Sequence, residues 1–340
     1  MGTAAEALRS SRYRIIVTGA GGWIGKATLE LLNNALGSLA FSERVVAFGS
    51  AARAIRISDE LSVDQRPLGE LAQLPAAPSL VLHLAYLTKD RVSGMDEEEY
   101  RAANSRIRQT VLDALDAIDA RAIFVASSGA AARADDPAAP FAMQLYGSLK
   151  KADEDAFAKW AEQRHRRAVI CRIFALSGPH MNKHDTYALA SFIKDALAGE
   201  PITIRADFPV FRSYVAIREL MSLVFALMVE SSEGVVRFDS GGEPLEMQRI
   251  AEIVAGALGP VPVERPPMRT DKIDEYIGSD VAYRQLLSRF GVEHLPFSRQ
   301  VAETAHFFAS DRAQLEVAVE CLEGAAGGGA PEPTDKRKIA

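Results

Sequence analysis

Apolar and polar positions alternate along the first half of the chain in two rhythms. Short apolar runs at Arg14–Val17, Val45–Phe48, Leu80–Leu84, Ile123–Ala126 and Ala168–Ile173 read as strands buried on both faces. Between them, Gly22–Leu36, Glu97–Ile118 and Leu145–Arg164 read as helices. Strand and helix in strict alternation predict an α/β fold, a doubly wound parallel sheet covered on both faces. After Gly178-Pro179 the rhythm changes. Helices are expected at Thr186–Ala198, Arg218–Val229 and Glu246–Leu258, with a short strand at Ile202–Ile204 and a proline-rich stretch at Gly259–Pro267. This predicts a smaller C-terminal α+β lobe on the sheet's carboxyl edge. The expected division is therefore a tail over 1–12, the sheet domain over 13–178 and a lobe over 179–323, parts of which return to the sheet domain. Residues 324–340, with three consecutive glycines, two prolines and lysines, read as a disordered tail. There is no internal repeat.

The first strand runs straight into Gly19-Ala20-Gly21-Gly22-Trp23-Ile24-Gly25, which opens the first of these helices. Each of three glycines has a physical job there: Gly19 permits the turn, Gly22 lets backbone amides approach a pyrophosphate, and Gly25 allows close packing of helix on sheet. The free amides and positive dipole end of the helix would hold the phosphates. A Rossmann-type dinucleotide site is the expectation, with Trp23 and Ile24 beside it.

Composition narrows the partners. A formal net charge of -6 supplies no basic field for nucleic acid or for an anionic membrane. The most apolar run, Leu220–Val229, is too short to cross a bilayer, and the N-terminus lacks a signal peptide's apolar core. Cys171 and Cys321 match no metal or redox spacing, so a reducing, cytoplasmic setting is expected.

Candidate chemistry lies further along. Tyr146 and Lys150 stand four residues apart on one helix face. A phenol titrates near pH 10, too high for work near neutrality, and a neighbouring ammonium, aided by a positively charged oxidised nicotinamide, would favour the phenolate. Ser127-Ser128-Gly129, at the carboxyl end of a strand, offers a hydroxyl to hold a substrate oxygen. Ser128 is the first choice and Ser127 the alternative, since the register leaves both open.

With the glycine loop, His83-Leu84-Ala85, Asn104, Ser127-Ser128 and Tyr146-x-x-x-Lys150, the chain resembles the extended short-chain dehydrogenase/reductase superfamily. It is most similar there to the NAD-dependent epimerase/dehydratase family, most of whose members act on nucleotide sugars. The likeness continues through Arg172-Ile173-Phe174, Gly178-Pro179, Arg212-Ser213-Tyr214-Val215 and Gly241-Gly242-Glu243-Pro244. It implies Tyr146 as general acid/base, Lys150 on the nicotinamide ribose and Ala85 lining the cofactor. It gives Asn104 a structural role in the long helix, and places Arg212, with Arg269 as a weaker candidate, on the substrate diphosphate. It also implies a homodimer through a bundle that includes Leu145–Arg164. Ala130-Ala131-Ala132 replaces the family's Val-Tyr-Gly, the Thr-Asp-Glu triplet of dehydratases is absent, and Ala175 stands where an asparagine is common. A dehydratase is thereby disfavoured.

The second strand ends in Phe48-Gly49-Ser50-Ala51-Ala52-Arg53, without the acidic residue that would bond the ribose 2′-OH of NAD. Ser50 and Arg53 suit a 2′-phosphate, so NADP is expected ahead of NAD. The functional expectation is an NAD(P)-dependent oxidoreductase acting on a nucleotide-linked sugar, most plainly a ketoreductase. The alternatives are an epimerase that retains its cofactor and a non-catalytic nucleotide sensor. His180, His184 and Asp185 resemble a metal cluster only superficially and read as solvated or lid residues, with no metal implied.

Overall fold

The structure is a computed structural model and describes residues 2–88, 94–184, 186–230, 232–270 and 272–310. Helix α1 (Gly2–Ser10) precedes β1 (Arg14–Thr18), α2 (Trp23–Leu36) and α3 (Ser38–Arg44). Strands β2 (Val45–Gly49), β3 (Arg53–Arg56), β4 (Ser62–Pro67) and β5 (Ser79–His83) follow. The long helices α4 (Glu97–Leu115) and α5 (Phe141–Arg164) bracket β6 (Ala120–Ser128), and β7 (Arg167–Ile173) and β8 (Ala175–Ser177) come next. The remainder comprises α6 (Ala188–Ala198), β9 (Ile202–Thr203), β10 (Val210–Ala216), α7 (Ile217–Val229), β11 (Gly234–Asp239) and β12 (Pro244–Glu246). It ends in α8 (Met247–Leu258), β13 (Val263–Glu264), β14 (Asp274–Tyr276), α9 (Asp280–Phe290) and a last helix over 297–310.

Eight strands form the main sheet in the order β11-β7-β6-β5-β1-β2-β4-β3. Every pairing is parallel except the edge strand β3, which runs against β4. The unbroken apolar runs have a simple cause. Ile15, Val17, Leu80, Leu82 and Phe124 enter one core, while Ile16, Val81, Ile123 and Val125 enter another on the opposite face. Helix α7 is buried along almost its whole length in the first of these. The expectation of an α/β, doubly wound Rossmann-type sheet is borne out.

Helix α2 ends where Gly37 takes φ +79 and its N–H closes on Asn33 O at 2.9 Å. A third core belongs to the lobe. There α6 and α8 bury Leu189, Phe192, Ile193, Ile250 and Val254 against Ile202 and Tyr214. Strand β10 is the lobe's spine, pairing with β8, β12 and β14.

Two differences from expectation have physical reasons. Residues 1–12, expected as a tail, contain α1, whose Leu8 is fully buried in the core it shares with α7. Arg9 and Arg44 fasten it through Ala35 O at 2.9 Å and Leu8 O at 3.1 Å. Arg53 is not in a plain turn but opens β3. That hairpin escaped notice because it is an edge: only Ile55, Val63 and Gln65 are buried among charged neighbours. The expected tail 324–340 lies outside the described residues, as does Cys321. Among the described residues, no helix is long and apolar enough to cross a membrane.

Because Leu8 docks α1 rather than ornamenting a tail, Leu8→Ala is expected to cost about 2–5 kcal/mol of stability. Urea denaturation followed by circular dichroism measures it, and a loss under about 0.5 kcal/mol would return the segment to tail status.

Candidate active site

In an open parallel sheet, ligands collect where neighbouring strands send their connections in opposite directions. Here that point lies between β1 and β5. Thr18 ends β1, and its hydroxyl accepts from Leu84 N at 3.2 Å and Ala85 N at 3.3 Å. It also shares a 3.2 Å contact with His83 Nδ1. Gly19 follows with φ +69, and a Cβ there would lie 2.6 Å from Ala85 N. At Gly25 a side chain would strike the carbonyls of Gly19 and Ala20. Gly22 caps α2 without any side-chain partner, so the first amides of that helix keep their donors for a ligand. Gly19 makes the turn and Gly25 the close packing, and the uncapped amides behind Gly22 leave a cradle that fits a dinucleotide pyrophosphate.

Trp23, the first residue of α2, donates its indole N–H to Pro179 O at 2.7 Å and tilts against Tyr187 at 5.8 Å. It ties the cradle to the lobe. Ile24 packs into the sheet core. At the other end of the cradle the Arg53 guanidinium lies where a Cβ on Gly21 would be. Ser50 and Arg53 are both exposed, and Gln65 braces their turn through Ala51 O at 2.7 Å.

The hydroxyl chemistry gathers at the carboxyl end of β6. Ser128 Oγ lies 3.1 Å from Tyr276 Oη, accepts from Ala130 N at 3.2 Å and is near enough to the Tyr146 phenol to lower its pKa. Ser127 points elsewhere: its hydroxyl donates to Glu154, which also takes both arms of Arg172 at 2.9 and 2.8 Å. Period-two alternation along β6 separates the two serines, leaving Ser128 alone with the tyrosine.

Tyr146 does not carry the lowered pKa expected from Lys150. Burial pushes the phenol well above its ordinary value, nearby Tyr276 adds to the rise, and the Ser128 hydroxyl works against it. Lys150 is itself buried, donates to Ala126 O at 2.8 Å and has its Nζ 6.0 Å from the Tyr146 ring centre. Burial brings its pKa down to about 8.

Tyr276 was missed. It sits on β14, opposite Arg212 of β10, and packs on Phe174 at 4.9 Å. Nothing in its own neighbourhood of sequence marks it, because a strand from the distant lobe carries it to Ser128. Arg212 is therefore close to the site, with Nη2 2.8 Å from Asp274 Oδ2. Arg269 is exposed, 3.9 Å from Asp207 at the lobe surface. Elsewhere in the lobe, Tyr187, Phe192, Ile204, Arg205 and Met247 line a cavity of about 220 Å³. Ala85 is half-buried beside the cradle.

Asn104 lies within α4, and its side chain reaches out to accept from Leu87 N at 2.9 Å. His180 is not solvated, while His184 is half-buried. His180 is buried against Phe307 and meets Glu30 at 3.0 Å, and His184 meets Met181 O at 2.6 Å. Among the described residues no cluster could hold a metal ion; Asp185 lies outside them.

Residues 15–238 match the family described as the NAD dependent epimerase/dehydratase family. UDP-glucuronic acid decarboxylase 3 of Arabidopsis thaliana is 28% identical over 115 residues, which is 34% of this chain and 33% of the relative. The match thus spans about a third of that relative's length. Among solved structures, MoeE5 in complex with UDP-glucose and NAD aligns at TM-score 0.66 and 22% identity, covering 88% of this chain and 99% of the other. The UDP-N-acetylglucosamine 4-epimerase of Methanobrevibacter ruminantium M1 aligns at TM-score 0.68 and 19% identity, with the same coverage. The dTDP-glucose 4,6-dehydratase DesIV of Streptomyces venezuelae, with NAD bound, gives TM-score 0.66 at 17% identity over 88% of this chain and 98% of that one. These likenesses show the fold.

His83, at the floor of the cradle, is buried with Nε2 unpartnered among the described residues and its pKa drawn from 6.5 down to about 3 by burial, then by Lys150 and Arg108. The unfolded chain therefore binds its proton first. Stability is full above pH 6.5 and falls as pH drops from there toward 3. Thermal and urea melts should show a loss of roughly 2 kcal/mol between about pH 6.5 and 5, reduced in His83→Asn.

Proposed function

The chain belongs to the NAD-dependent epimerase/dehydratase family, and on that premise we propose that it is an NAD(P)-dependent oxidoreductase acting on a sugar carbon of a nucleotide-linked sugar, working as a ketoreductase. The observation that carries this reading is the meeting of Ser128, Tyr146 and Tyr276 at the end of β6, beside the glycine cradle. A bound nicotinamide would supply the hydride donor or acceptor. Gly19, Gly22 and Gly25 would admit its pyrophosphate, Ala85 would line its ribose, and Lys150 would bond that ribose. Ser128 would hold the substrate oxygen while Tyr146 gives or takes its proton. A phenol that burial keeps protonated suits the giving of a proton to a carbonyl oxygen under reduction.

The adenosine end supports NADP over NAD. Arg53 makes no ion pair among the described residues and overlies Gly21, and no carboxylate ends β2. Arg212 is the stronger candidate for a substrate diphosphate, through exchange of its Asp274 partner, and Arg269 would serve only at the rim. The curated relative and the solved neighbours, which carry UDP- and dTDP-sugars in their names, support this substrate class. Homodimerisation is part of the reading, through α4 and α5, where Leu112, Ala156 and Trp160 line a groove.

An epimerase that keeps its cofactor is the second reading, and it shares every group above. Cofactor that survives purification and shows no net turnover would establish it.

Two measurements bear on the main reading. Tyr146→Phe is expected to lower turnover about 10²–10⁴-fold while cofactor affinity holds, with Ser128→Ala also lowering turnover and Ser127→Ala sparing it. An undiminished rate in Tyr146→Phe would refute the mechanism. Arg53→Ala should weaken NADP binding roughly tenfold or more and leave NAD binding alone; equal affinities for the two cofactors, unchanged by the substitution, would refute the NADP preference.

A further inference from the structure

Tyr86 follows Ala85 directly, and its ring covers Lys150: Nζ stands 3.6 Å from the ring centre. The same ring meets Tyr146 edge-on, with centres 5.6 Å apart and planes at 82°. Lys150 has no carboxylate hydrogen-bonded to it among the described residues. Asp153 is engaged by Arg108 at 3.0 Å, and Glu154 by Arg172 and Ser127. Besides the Ala126 carbonyl, the ring face is the nearest negative potential the ammonium has.

The ring is held from behind. Asn104 accepts from Leu87 N, Tyr100 donates to Leu87 O at 2.6 Å, and Tyr86 packs on the cluster of Tyr100, Leu145 and Leu149. Its hydroxyl is buried and has no partner among the described residues. The ring face, not the hydroxyl, makes the contact.

We propose that Tyr86 is a positioning residue for Lys150, its ring fixing the ammonium beside Tyr146 and keeping it charged where the nicotinamide ribose would meet it. This rests on the reading of Lys150 as the ribose ligand. The charged and titratable groups around that ammonium are Asp153 and Glu154 on its own helix, Arg108 of α4, His83 at the end of β5, and the two phenols. Burial already brings the lysine to about 8. A buried cation that loses an aromatic face loses stabilisation of its charged form, so removal of the ring lowers that value further.

The test is the dissociation constant of NADPH, followed by its fluorescence on the full chain from about pH 6 to 10. Affinity should fall as pH rises through an inflection near 8. Tyr86→Leu is expected to move the inflection down by about one pH unit, while Tyr86→Phe, which keeps the ring, leaves it in place. An inflection unmoved in folded Tyr86→Leu overturns the proposal, since a packing role alone would change stability and not the pH profile. If the leucine variant fails to fold, Tyr86→Met supplies a ringless side chain with the same two outcomes. Lys150→Met separates this from the reading beneath it. Loss of the inflection there, with Tyr86→Leu unmoved, removes only the role of Tyr86; its persistence there overturns both.

Discussion

Two loops that touch at the middle of the sheet are the constraint on which the site depends. Gly19 and Ala85 leave neighbouring strands so close together that no side chain fits at Gly19. The Thr18 hydroxyl bonds both Leu84 and Ala85, which fixes the approach. From that contact follow the direction of α2, the cradle at Gly22, and the placing of Tyr86 one residue beyond Ala85. The side chain that closes the loops thereby also sets the distance between phosphate site and proton-transfer site.

A second consequence is that the candidate reacting groups are largely withdrawn from water. Lys150 and Ser128 are buried and Tyr146 and Tyr276 half-buried, and desolvation is the largest influence on the titration of both Tyr146 and Lys150. In such surroundings an aromatic face or a single hydroxyl counts for more than it would in water. This is why the pairing of Tyr146 with Lys150 by sequence spacing alone misjudged the phenol. Spacing says that two side chains share a helix face; it says nothing of how much water they lose.

How much was legible follows the same line. Runs buried on both faces announce themselves, so β1, β2, β5 and β7 were readable to within a residue, and β6 to within three. The glycine loop was readable because each glycine answers a local steric demand. The hairpin of β4 and the edge strand β3 was not, since its apolar positions are few. Helix α1 was not, since a single leucine on a short helix leaves little periodicity. Tyr276 lay beyond reach for another reason: β14 has only three residues, and its pairing with β10 spans about sixty positions of chain that carry no local signal. The choice between Ser127 and Ser128 needed the register of β6, and Glu154 settles where Ser127 goes.

The direction of the chemistry rests on the two ends of the cradle considered together. At one end, the proposed NADP preference rests on an exposed guanidinium over Gly21 and on the lack of a carboxylate at the end of β2. At the other, the proposed role of Tyr146 suits a phenol that burial keeps protonated, better able to give a proton than to take one. An epimerase must do both in each cycle, so it would need the phenol brought back toward its ordinary range. The charge able to do this is the Lys150 ammonium, and its own pKa, near 8, leaves it only partly charged on the alkaline side of neutrality. Whatever holds that lysine in its charged form therefore governs how far the site can run in both directions, and the Tyr86 ring is the group that touches it.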